Sequence, residues 1–337
     1  MKVVLAALSV FLSSAASAAT SPAYTLSQTI PLGAPDRWDY VVYDSQTSRV
    51  YVAHSDRLAV IDAKGEKLVG EVPGIAGGTH GTAISIPTGQ GFTDDGRGGK
   101  AVAFDLHTLK VTKEIPADLD ADALALDPST GHLFVVEGDP AALTVIDPKT
   151  DAPIATIKAG EKLEFAVADG RGAIYVAGEA NGDVLKIDAR TNSIVGRWAT
   201  PGCTSPHGIA VDTKAHRAFM GCINSVMMVV DTTTGRTVAK LPIGRGSDAV
   251  AFDPVRKRVF SSNGADGTIT AYQQVSPDSY AALATIPTMV SARTMSVDPA
   301  TGRLFVAGAD TDPNPTPGGR PHVRPGTLRL LIFKLSA

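Results

Sequence analysis

Short apolar runs recur along this chain at a near-constant interval, each closing on an acidic or hydroxyl residue: Asp44, Ser85, Asp127, Asp169, Asp212, Asp253 and Asp298. The intervals are 41, 42, 42, 43, 41 and 45 residues, and Ser205-Pro-His-Gly-Ile-Ala-Val-Asp212 is a representative run. An aromatic follows seven residues later in six copies, at Tyr51, Phe92, Phe134, Phe219, Phe260 and Phe305, while the fourth copy is one residue shorter and supplies Tyr175. A period near 42 built of short apolar runs and turn residues predicts an all-β fold. It is a seven-bladed β-propeller of four-stranded antiparallel blades, one blade per repeat.

Within a unit the pattern reads as inner strand, turn, second strand with its aromatic, loop, third strand, turn and outer strand. Third strands end in Val60-Ile-Asp62, Ala103-Phe-Asp105, Val145-Ile-Asp147, Lys186-Ile-Asp188 and Val230-Asp231, each Asp starting a turn. Asp and Thr side chains bond the backbone of such turns, so these carboxylates are structural. Tyr24-Thr-Leu-Ser-Gln-Thr-Ile30 alternates like an outer strand but precedes the first repeat, and nothing equivalent follows Leu328-Arg-Leu-Leu-Ile-Phe333. The N-terminal strand is therefore expected to complete the last blade, which removes the open edge between the two chain ends.

Before the repeats, Lys2, the apolar run Val3 to Leu12 and the small residues Ala16-Ser17-Ala18 read as a secretory signal over residues 1–19, leaving residues 20–337 as a single propeller domain. The mature protein is expected to be periplasmic or secreted and monomeric, and its sequence contains no membrane span. A net charge of −3, without a basic face, argues against nucleic acid as a partner.

Five residues before each run's end stand Asp39, His80, Asp122, Glu164, His207, Asp248 and Arg293. Inner strands of a propeller line its channel, so these seven polar side chains are expected to form a ring at the channel mouth. Ten residues after six of the seven run ends, His54, Asp95, Glu137, Glu179, Cys222 and Asn263 form a second polar tier, with Cys222 expected opposite His207. Four carboxylates around one mouth repel one another unless a cation or a proton compensates them. The ring can be a solvated channel lining, a site for a divalent metal or small ligand, or an acid/base site.

Imidazole and carboxylate donors suit zinc or another transition ion. His54 and Asp39 of blade one with His80 of blade two are the geometrically easier metal set. For catalysis, His80 or His207 would be the general base, Glu164 an orienting or protonating group, and Arg293 the partner of an anionic substrate group. His107, His132 and His216 fall in blade turns. Cys203 and Cys222 flank the inner strand of blade five, which in an exported protein reads as a disulfide; a thiolate metal site shared with His207 is the alternative.

Blade seven carries a long Pro-rich connection, residues 310–325, returning at the ring end, where Arg320, His322 and Arg324 would either cover the mouth or decorate the surface. Blade six carries an extended turn near Gln274-Val-Ser-Pro-Asp-Ser279 at the opposite end.

The unit Arg49-Val-Tyr-Val-Ala-His54, the Val-Ile-Asp third strands, Leu241-Pro-Ile-Gly-Arg-Gly-Ser-Asp248, Ser261-Ser-Asn-Gly-Ala-Asp-Gly-Thr268 and Ala292-Arg-Thr-Met-Ser-Val-Asp298 resemble the YncE-like, YVTN-repeat propellers. The resemblance spans nearly all of the mature chain and implies fold and export. The broader class includes dehydrogenase heavy subunits, lactonases and antibiotic-opening lyases, so the resemblance selects no reaction. Trp38 and Trp198 are the only tryptophans, which counts against the tryptophan-docked blades of a quinone-binding propeller.

The sequence thus points to a propeller that binds a metal ion or small ligand at its polar mouth. Lyase or lactonase chemistry on a small anionic or cyclic substrate is one alternative, and a scaffold for another exported protein is the other.

Overall fold

In the computed structural model, which describes residues 24–312 and 321–336, seven antiparallel blades surround a central channel. Blade five shows the pattern: Pro206–Asp212 innermost, then Arg217–Cys222, Val226–Asp231 and Thr237–Pro242 outermost. Inner strands of consecutive blades pack side by side, and that of blade seven, Thr294–Val297, packs against that of blade one, Val41–Asp44, so the circle closes. The segment read as a signal lies outside the described residues.

Closure follows the sequence expectation. Tyr24–Pro31 pairs antiparallel with Arg329–Leu335 and forms the outer strand of blade seven, burying Tyr24 and Ile30. First and last segments are thereby held in one sheet by backbone hydrogen bonds.

The repeat aromatics fill the spaces between blades. Tyr51, Phe92, Phe134, Phe219, Phe260 and Phe305 are fully buried, and Tyr175 nearly so. Tyr51 of blade one packs with Val102 and Phe104 of blade two, and Phe305 of blade seven packs with Val50 and Val52 of blade one. Burial of each ring stabilises the fold by about 1.5–3 kcal/mol. Seven such contacts explain why the aromatic recurs.

Turn carboxylates behave as expected. Asp105 accepts the backbone N–H groups of His107 and Thr108, and Asp231 those of Thr233 and Thr234. The long turn of blade six has a structural use that the sequence did not suggest. Arg217 of blade five donates from Nε and Nη2 to Asp278, at 2.9 and 2.6 Å, and ties the two blades together.

Candidate functional site

Every ring position sits where regular pairing breaks or has not begun. In blade one the Asp39 N–H donates to the Ala53 carbonyl while the Ala53 N–H donates to the Tyr40 carbonyl, so two residues oppose one. In blade three Ala121 pairs with Glu137 and Ala123 with Val136, which leaves Asp122 as the extra residue. Register slips in the same place in blades four, five and six, releasing Glu164, His207 and Asp248 from the ladder. A bulge bends the strand and re-aims its side chains, here toward the channel. The bulge also corrects one expected register: Cys222 pairs with Pro206, not His207, because the bulge intervenes.

The seven side chains form a continuous chain of polar contacts. Asp39, His80 and Asp122 each offer a ligand atom within 4.8 Å of the others, and so do Glu164, His207 and Asp248. Glu164 of the second group is close enough to Asp122 of the first that its charge helps to raise the Asp122 pKa. His207 Nδ1 lies 3.0 Å from Glu164 and 3.3 Å from Asp248, and Asp248 lies 2.9 Å from Arg293 Nε. Arg293 Nη2 then donates to the Trp38 carbonyl at 2.6 Å, returning the circuit to blade one.

The two halves differ in charge. Burial disfavours a charged His207, but the adjoining carboxyl groups of Asp248 and Glu164 outweigh it and raise the imidazolium to about 10. With Arg293 beside it, this half carries its own cations. On the other side burial is the main cause that lifts Asp39 to about 7, partly offset by Arg293. Burial, followed by the charges of Glu164 and Asp39, keeps Asp122 well above the usual carboxylate range.

His80 is oriented by a residue that sequence reasoning missed. Asp94, fully buried, accepts from His80 Nδ1 at 2.7 Å, from the His80 backbone N–H at 2.9 Å and from the Gly81 N–H at 2.7 Å. Nδ1 is thus the donor, and in the neutral imidazole Nε2 keeps its lone pair; burial lowers the His80 pKa, but the hydrogen bond and charge of Asp94 outweigh it and raise it. The doubled Asp94-Asp95 was the available signal, since no other repeat places an acid at the position of Asp94. The predicted metal donor His54 stands apart from the ring group: its Nε2 meets the Pro35 carbonyl at 2.5 Å.

The rest of the second tier is also engaged outside the ring. Asp95 accepts from Gly98, Glu137 from Asp118 and Thr144, Glu179 from Ser205, and Asn263 donates to Thr268 and Thr270. Cys222 is bonded to Cys203. That disulfide clips the loop before His207 to the neighbouring strand, and no thiolate is left for a metal.

Beneath the ring the channel is plugged. Tyr40 of blade one lies 4.5 Å from Phe165 of blade four, centroid to centroid, and packs among Ala123, Leu163 and Ala166. Blades one and four are not neighbours, so this contact crosses the channel. Other residues at the same level are small. A Cβ on Gly81 would meet the Leu124 nitrogen at 2.8 Å and one on Gly208 the Val250 nitrogen at 2.4 Å, so the strands approach too closely there for side chains.

Ring side chains are shielded in turn. His80, Glu164, His207 and Asp248 are between 12% and 20% exposed, so each is shielded but still reaches the channel mouth. A larger groove of about 500 Å³ lies elsewhere, lined by Met289, Val290, Asp310, Thr311, Pro321 and Arg324. Of the three residues expected in a cover, Arg320 lies outside the described residues, His322 is exposed in a two-stranded hairpin, and Arg324 pairs with Asp312 of that hairpin.

No protein-family profile matches the chain. The YncE proteins of Salmonella typhimurium and Salmonella typhi are each 27% identical to it over 195 residues, 56% of this chain and 52% of theirs. The chain is a YncE-like seven-bladed β-propeller. It spans about half the length of these curated relatives in the matched region, so the likeness carries no activity. The YncE-like chain also superposes on a chain of Kuenenia stuttgartiensis hydrazine synthase, 14% identical, TM-score 0.70, over 80% of this chain and 92% of that one. A chain of the mitotic checkpoint complex matches over 100% of this chain and 99% of its own, 14% identical, TM-score 0.77. At that identity the likeness is one of fold alone. Among the described residues, no helix of this YncE-like propeller is long and apolar enough to cross a membrane.

Proposed function

We propose that this protein is an exported, periplasmic or secreted YncE-like propeller that holds one divalent first-row metal ion at its channel mouth, between Asp39, His80 and Asp122. The observation that carries the reading is His80. Asp94 holds its Nδ1–H, its Nε2 meets only the exposed Arg37 head, at 3.4 Å, among the described residues, and two carboxyl groups lie within 4.8 Å. A carboxylate behind a metal-bound imidazole is a recurrent way of orienting the ring and raising its basicity. Donors about 2.0–2.2 Å from a common ion would be reached by side-chain shifts on the order of 1 Å.

The same logic disfavours the other half-ring. An imidazolium between Glu164 and Asp248 donates protons and has no lone pair for a metal, and Arg293 already faces Asp248. His207 and Arg293 act as fixed internal counterions that let Glu164 and Asp248 stay close together. Export rests on the leader-like residues 1–19 and agrees with the Cys203–Cys222 disulfide.

Calorimetric titration of chelator-treated protein with zinc and with manganese tests the site. One ion should bind per chain, and Asp122→Asn should abolish binding. Undiminished binding by Asp122→Asn would refute the assignment.

A further inference from the structure

The mouth carries one more charged group that the metal reading leaves without a role. Arg37 is exposed, and among the described residues its polar partner is His80: Nη2 lies 3.4 Å from Nε2, the nitrogen that would bind the ion. No carboxylate of the described residues pairs with it, whereas Arg293 is held by Asp248 and the Trp38 carbonyl.

The backbone on either side of Arg37 is fixed. Asp36 accepts the N–H groups of Gly326, Thr327 and Leu328 at 2.5, 2.9 and 3.0 Å, and Trp38 is buried. Arg37 therefore has an anchored base and a solvent-facing head.

A guanidinium keeps its proton and has no lone pair, so it cannot be a metal ligand. It also cannot share the Nε2 lone pair with an ion, which would sit about 2 Å from that nitrogen. On metal loading the head must move off Nε2, yet its anchored base keeps it at the mouth. Three protein donors leave at least one coordination position open on a four-coordinate ion. A carboxylate can bridge such a position to an arginine, one oxygen on the ion and the other on the planar N–H fork.

We infer that the metal-loaded mouth binds a small carboxylate-bearing ligand, with Arg37 as the residue that selects its negative charge. The inference rests on the metal reading above and adds the ligand class. In the ion-free state Arg37 occupies the nitrogen the ion needs, so the same residue opposes naked metal and favours a metal–carboxylate pair.

Two titrations separate these effects. Zinc is titrated first into the metal-free full chain and into Arg37→Gln, an exposed substitution that leaves the fold intact. Lactate is then titrated into each zinc-loaded protein, with lactamide as the uncharged control. Arg37→Gln should bind zinc as tightly as the parent or more tightly, yet bind lactate at least tenfold more weakly, and lactamide should bind neither. Equal lactate affinity in parent and variant, or lactate binding to the parent that does not need zinc, overturns the inference while the metal site stands. Failure of the parent to bind zinc in the first titration removes both readings.

Discussion

Asp94 in the second strand of blade two meets His80 at the head of the inner strand across 2.7 Å, and its other oxygen holds the backbone N–H groups of His80 and Gly81. Ring and main chain are thus clamped by one buried carboxylate. Asp94→Asn retains the shape but sets an amide N–H against one of these three donors. Zinc affinity should fall about 10–100-fold, with the fold retained, as calorimetry and circular dichroism would check. Unchanged affinity would mean that His80 is not oriented through Asp94.

Protonation gives the site a pH signature. Asp39 is held near 7 in the folded protein, above an ordinary Asp of about 3.9. Between those values the folded state keeps a proton that the unfolded chain has lost, so metal-free stability falls as pH rises through that window. His207, at about 10 against an ordinary 6.5, contributes stability that is complete below 6.5 and lost as pH rises through 10. Zinc binding displaces the Asp39 proton, so the rise in melting temperature caused by zinc should grow from pH 5 to pH 8. A zinc increment independent of pH would contradict the assignment of Asp39 as a ligand.

Closure of the toroid depends on one strand. Removing residues 20–32 unpairs Arg329–Leu335 along one edge and exposes the cores that Tyr24 and Ile30 cover. The melting temperature should drop by at least about 10 °C, several kcal/mol at the size scaling of a large domain. An unchanged melting temperature would mean that the chain ends close the circle by other means.

The disulfide closes 19 residues around the inner strand of blade five. Cys203→Ser with Cys222→Ser should lower stability by about 3 kcal/mol on the chain-entropy account. Alkylation of the unreduced parent should label no thiol, and two labelled thiols would show that the bond does not form.

Fold and ring were legible because both are periodic. The inner-strand bulge recurs across blades, so it leaves the repeat spacing unchanged and the ring position aligned from Asp39 to Arg293, although the bulge itself cannot be read from that spacing. What the sequence hid is unique to single blades. Asp94 occurs once, Arg37 lies in the irregular segment before blade one, and the Tyr40–Phe165 plug joins residues 125 positions apart across the channel. His54 was drawn into the metal set by its place in the repeat. The structure turns it to Pro35 instead and brings Asp122 beside His80, because the bulge releases Asp122 toward the channel while His54 stays paired with Arg57.

The most direct measurement is the metal content of the mature protein, purified without chelator or metal-affinity tag, beside His80→Ala and His207→Gln. Native mass spectrometry should find about one divalent ion per chain in the parent and in His207→Gln, and none in His80→Ala. Metal lost with His207→Gln but kept in His80→Ala, or absent from all three proteins even after zinc is added, would contradict a site built on Asp39, His80 and Asp122.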